Sequence, residues 1–135
     1  VANYYEQSRS NYVKVKDKEA FRAFVERFGG AVELIEDDKG GVGFLAQEGI
    51  PSTYMPDDSG NEPEEVDFVT EAAGHLADHE VLIVMGTGYE KMRYLVGYAI
   101  AINNKKERRE LDLAQIYELA RQLTRKPKRI TRAEY

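Results

Sequence analysis

Three sets of residues have the types and spacing to do chemistry. His75 and His79 stand four apart with Glu71 one turn before His75, so on a helix the three would share one side. Two imidazoles and a carboxylate can hold a transition metal. The stretch nevertheless reads HLADH rather than HExxH, and the reading favoured is two exposed histidines with no metal. Gly86-Thr87-Gly88 follows a run of apolar residues, as a phosphate loop follows its strand. Such a loop must open a helix, so that backbone N–H groups face the anion. Here the residues after Gly88 alternate with period two, and the spacing matches neither GxxxxGK[ST] nor GxGxxG. Gly86 and Gly88 are therefore expected to supply positive-φ positions in a hairpin turn, as is GGVG at 40–43. Ser8, Ser10, Ser52 and Ser59 include no GxSxG, carboxylates abound without an isolated acid/base pair, and cysteine is absent. No catalytic residue, metal or other cofactor is expected, and the protein reads as a non-enzyme.

Charge is the stronger signal. The net charge of −5 conceals a division: residues 33–80 hold fourteen acids and one base, Lys39, whereas 105–132 hold ten Lys or Arg and four acids. If folding keeps the two blocks apart, each can steer a different partner. The acidic candidates are Asp57, Asp58, Glu62, Glu64, Glu65, Asp67 and Glu71, presented to a protein with a basic surface. The basic candidates are Arg125, Lys126, Lys128, Arg129 and Arg132, an alternative site for nucleic acid through phosphate contacts. Of nine tyrosines, Tyr4, Tyr5, Tyr54, Tyr89 and Tyr135 are expected in termini or loops, where they suit binding or base stacking.

The elements that must position these groups follow from periodicity. NYVKVK (11–16) alternates as a half-buried strand. Asp17 caps a helix with Phe21, Phe24, Val25 and Phe28 on one stripe, ended by Gly29-Gly30. AVELIE (31–36) and VGFLAQ (42–47) flank the turn signal DDKGG, and a short extended piece is expected at 52–55. Asn61 and Glu64 have capping-box spacing, placing a second helix there with Val69, Ala72, Ala73 and Leu76 inward. EVLIVM (80–85) reads as a central strand covered on both faces. From Met92 to Ile102 one face is bulky and the other small, with Gly97, Ala99 and Ala101, so that a helix can pack close. The bulky face forms core or meets a partner, a second copy included. Asp112 and Gln115 box the start of a last helix with Leu113, Ile116, Tyr117, Ala120 and Leu123 inward.

The order is β-α-β-β-(β)-α-β-β-α, an α+β fold with a mainly antiparallel sheet of about five strands and three helices. Residues 1–124 are expected to form one domain and 125–135 a flexible basic tail. No apolar run has the length of a membrane span, and VANYYEQSRS lacks a signal-peptide core, so a cytoplasmic protein is expected.

The stretches SNYVKVKDKEAF, EEVDFVTEAAGHLADHEVLIVMGTGYEKMRYLVGYAIAIN and LDLAQIYELA together resemble a family of small acidic α+β proteins encoded by bacterial plasmids and phages. The likeness spans about two thirds of the chain, and EKMRYLVGYA is its most specific part. The resemblance carries no catalytic motif. It implies an accessory protein of a mobile element, of the kind that counters host restriction or CRISPR defence, sometimes by presenting a surface like that of nucleic acid.

Overall fold

The computed structural model describes residues 4–54 and 62–134. In chain order the elements are β1 (Tyr4–Ser10), α1 (Lys18–Glu26), β2 (Glu33–Glu36), β3 (Val42–Ala46), α2 (Phe68–Ala73), β4 (Val81–Glu90), β5 (Tyr94–Asn103), β6 (Arg108–Asp112) and α3 (Ile116–Arg121). The fold is α+β, with one antiparallel sheet of six strands in the order β2-β3-β1-β4-β5-β6. Helices α1 and α2 lie on one face of it, the inner face.

The first helix follows its sequence signals. Asp17 accepts from the N–H groups of Glu19 and Ala20, the Phe21–Phe28 stripe is buried, and Gly29 takes φ 59° as the helix ends. The hairpin of β2 and β3 turns at 37–41 with Gly40 at φ 82°. Asp37 Oδ1 accepts the N–H groups of Lys39 and Gly41 there, and the Gly41 bond leads in holding its carboxyl below the ordinary range.

Five expectations need correction. The N-terminal strand is 4–10, not 11–16. Residues 11–16 instead cross the end of the sheet, making single bridges from Val13 to Val42 and from Val15 to Leu76. Asn11 sustains the pairing with β4 through its side chain, donating to Val81 O and accepting from Ile83 N. The second helix starts later than the Asn61–Glu64 spacing suggests: Asp67 caps it through Thr70 N, Glu64 precedes it, and Asn61 lies outside the described residues. Its inward residues Val69, Ala72, Ala73 and Leu76 are all buried as expected. Thr53 forms only an isolated bridge to Glu65, and the extra strand is the charged RRELD of β6.

Fourth, Gly86 and Gly88 are not in a turn. They lie inside β4, opposite Tyr98 and Val96 of β5, and the reversal comes later, at Lys91 with φ 50°. A Cβ on Gly86 would lie 2.4 Å from the Tyr98 ring, and one on Gly88 would lie 2.2 Å from the Tyr4 hydroxyl. The glycines let two tyrosines lie flat across the sheet, a packing role and not a conformational one. Fifth, β4 is covered on one face only: Leu82 and Val84 are buried, whereas Val81, Ile83 and Met85 are exposed.

The core is the space between the inner face and the two helices. The bulky side of β5 supplies Ile100 and Ile102 to it. Phe68 sits at its centre, with ring centroids 5.2 Å from Phe24, 5.0 Å from Phe28 and 4.8 Å from Phe44.

Candidate functional site: two charged segments and an open sheet face

The histidines do not form a pair. α2 ends at Ala73, so His75 and His79 are not on one helical face, and His79 occupies a turn at φ 69°. His75 is half-buried, not exposed, with its ring 5.6 Å from Phe21 and 5.1 Å from Phe24. Among the described residues no three His, Asp or Glu are grouped as a metal site would require. Burial lowers the His75 pKa below its ordinary 6.5, against the opposing pull of Glu71 and Asp17 and with that of Lys16. The neutral ring is the form that the fold accommodates. Its contribution to stability is therefore present above the unfolded value and lost as pH falls from there through the lowered folded value. Urea midpoints at pH 7 and pH 5 should show this loss, and His75→Gln should flatten the slope between them. An unchanged slope in the variant would assign the titration elsewhere.

The tyrosines are also relocated. Tyr4 and Tyr5 belong to β1 and Tyr89 to β4, where Tyr5 and Tyr89 stack across strands at 5.4 Å. Tyr54 is buried, donates to the Glu71 carboxylate and has the Arg27 guanidinium 3.5 Å above its ring. Tyr135 lies outside the described residues.

The acidic candidates divide by what they touch. Glu62, Glu64 and Glu65 are exposed and make no ion pair among the described residues. Their segment is held to the body by Tyr54 N to Glu64 O, by Val66 N to Ser52 O and by the Thr53–Glu65 bridge. Asp67 is occupied as the cap of α2 and lies 3.8 Å from Arg108, and Glu71 accepts from Tyr54. Asp57 and Asp58 lie outside the described residues. Between the acidic and basic blocks, Arg108–Asp67 is the one ion pair among the described residues.

In the basic segment Arg125, Lys126, Lys128 and Arg129 are exposed. Arg132 is engaged, 2.8 Å from Glu134 and stacked over Tyr117 at 4.3 Å. The segment returns to the body: Ala133 N donates to the Tyr117 hydroxyl, and Glu134 bridges to Tyr94 at the start of β5.

One feature was not legible as a site. The outer face of the sheet, opposite α1 and α2, carries Ile83, Met85, Ala99 and Leu111, and Met85, Ala99 and Leu111 stand side by side in one cross-strand row. No helix covers it. The last helix was expected to bury its apolar stripe, yet Leu113, Ile116, Leu119 and Leu123 are exposed and Tyr117 and Ala120 only partly covered. Leu113 rests over Gly97, where a Cβ would come within 2.9 Å of it. Beyond that contact α3 stands off, leaving a groove of about 490 Å³ between Met85, Leu111, Ile116 and Leu119. The small stripe of β5 admits a helix, as its composition suggested, but the chain's own helix does not fill the space. The signal was the unbroken apolar run of β4, which was taken for burial.

Among the described residues no helix is long and apolar enough to cross a membrane. Comparison with family models, with curated proteins and with solved structures returned no match.

Proposed function

We propose that the chain is a non-catalytic protein-binding accessory protein whose acidic segment engages a partner with a basic surface. The observation that carries this reading is that, among the described residues, one ion pair joins the acidic and basic blocks and none engages Glu62, Glu64 or Glu65, on a segment anchored to the body. A cluster of exposed carboxylates on an anchored segment raises the rate of encounter with a basic groove and loses that advantage in salt. The resemblance to plasmid and phage proteins supplies a more specific form: an inhibitor of a nucleic-acid-targeting host defence complex, acting in the cytoplasm, with the carboxylates standing where phosphates would bind.

Reversal of Glu62, Glu64 and Glu65 to lysine tests it. Asp67 is left intact because its loss would unseat α2. A tagged protein should retain a stoichiometric, nuclease-resistant partner at low salt and release it at moderate salt, and the triple variant should slow association by about tenfold or more. Equal capture by the variant would dismiss the acidic surface.

The exposed Arg125, Lys126, Lys128 and Arg129 favour a second reading, nucleic-acid binding through phosphate contacts. Deleting the tail would also remove the contacts to Tyr117 and Tyr94, so alanine at these four positions is the cleaner test. Affinity for a single-stranded oligonucleotide should fall and its salt dependence flatten; an unchanged salt slope would remove this reading.

A further inference from the structure

We propose that the outer face of the sheet is the interface of a homodimer, in which the α3 arm of each protomer lies across the sheet of the other. The inference is independent of the acidic-surface reading, because Glu62, Glu64 and Glu65 belong to the segment leading into α2, on the opposite side of the sheet.

The surface area of the chain exceeds that of a compact monomer of its size. A compact monomer of 15.4 kDa is expected to expose roughly 7,200 Å², whereas this chain exposes 9759 Å². Assigning the undescribed residues the full area of an unfolded chain still leaves an excess on the order of 1,000 Å². One side of a standard protein interface buries about 800 Å². The excess is of the size of one side of a standard interface.

Composition then identifies the kind of partner. Transient interfaces are about as apolar as the rest of a protein surface, whereas the centre of a permanent homodimer interface is distinctly more apolar. Here Met85 is 59 % exposed and Leu111 68 % on a floor shared with Ile83, Ala99, Ala101 and Gly97 and bordered by Arg9 and Arg109, and past the arm Leu123 is 88 % exposed. A patch of this kind is an aggregation liability for a monomer waiting on an occasional partner. A partner made with the chain, at equal concentration, removes that liability.

Shape selects a second copy. Each chain presents both a shallow apolar floor and an amphipathic arm whose apolar side chains are uncovered. A two-fold axis brings arm to floor twice, so that both halves of each surface are covered by one closed contact. Leu113 over Gly97 already fixes where the arm leaves its own sheet.

The test is the mass in solution. Sedimentation velocity across a concentration series should give twice the chain mass. Leu111→Glu on the floor and Leu119→Glu on the arm should each shift the protein toward monomer, raising the dimer dissociation constant about 30-fold or more. Both side chains are exposed within one chain, so far-ultraviolet circular dichroism should be unchanged. A wild-type monomer at tens of micromolar overturns the proposal, as does a dimer that survives both substitutions. If the wild type is monomeric and Leu111→Glu abolishes capture of the partner described above, the face belongs to that partner and the acidic reading stands. If the dimer dissociates as expected while the glutamate reversals leave capture intact, the dimer stands and the acidic reading falls.

Discussion

Phe68→Ala is expected to destabilise the protein by about 3–5 kcal/mol, the range for truncating a buried aromatic ring. The ring belongs to α2, yet its contacts are Phe24 and Phe28 of the first helical segment and Phe44 of β3. It meets Phe24 nearly stacked and the other two edge to face, arrangements that add to the simple burial of area. Around it the rings continue, with Phe28 stacked on Tyr54 at 5.1 Å, so a void at Phe68 has rigid aromatic walls that relax little. Against a typical domain stability of about 5–15 kcal/mol, such a loss is large. Guanidinium denaturation should show a lowered midpoint with an unchanged slope, and Phe68→Leu should recover much of the difference. A shift below about 1 kcal/mol would mean that this ring is not the point at which the helices are joined to the sheet.

Gly43→Val should rank second, with a loss on the order of 3 kcal/mol from overpacking and a broken buried hydrogen bond together. A Cβ at Gly43 would lie 2.5 Å from the Asn11 carbonyl oxygen and 2.7 Å from Ser10 Oγ. The first of these is backbone and cannot swing aside. Here β1 leaves the sheet: Ser10 Oγ donates to Asn11 O and accepts from Phe44 N, replacing the ladder bond that the departing strand no longer offers. A side chain at 43 pushes this junction open. By contrast Gly86→Ala meets the end of a half-buried tyrosine that can rotate away, so it should cost much less. Thermal melts of the two variants decide the order, and a Gly86 variant weaker than the Gly43 variant would reverse the assignment.

How far these features were legible depended on whether a residue's role was local. α1 could be read whole, because its cap, its apolar stripe and its terminating glycine all act within the helix. The β2–β3 turn and the Asp112–Gln115 capping box were equally local. β1 was missed because YYEQSRS has no β-branched residue and no alternation of apolar and polar side chains to mark a strand. Its inner side chains are Tyr4, Glu6, Ser8 and Ser10, and although Ser8 and Ser10 are buried, none of the four is an aliphatic residue that would mark an inward face. β6 was missed because an edge strand can be charged at all but one of its positions, Leu111 here. Gly43, Gly86 and Gly88 were assigned to turns because glycine signals both reversal and close approach, and only the partner across the strand tells them apart. The charge division could be counted in the chain, but its survival depends on Arg108 alone meeting Asp67. Apolar periodicity marked the stripe of the last helix but misplaced it inward, because periodicity locates an apolar face and does not say what lies against it.

The position of β1 between β3 and β4 also bears on how the chain reaches this structure. Tyr4 pairs with Glu90 and Ser10 with Val84, while β4, β5 and β6 are joined by short reversals. The C-terminal meander can zip from its turns, and the β2–β3 hairpin can do the same, each by closing a small loop. Joining them requires β1 to pair with β4 across a sequence separation of 74 residues at Ser10–Val84 and 86 at Tyr4–Glu90, and the entropy of that closure comes before its contacts are gained. β1 is thus the last strand to be seated. Until it arrives, β3 and β4 each present a bare edge, and refolding should be slower than in a protein of this length built from neighbouring pairs.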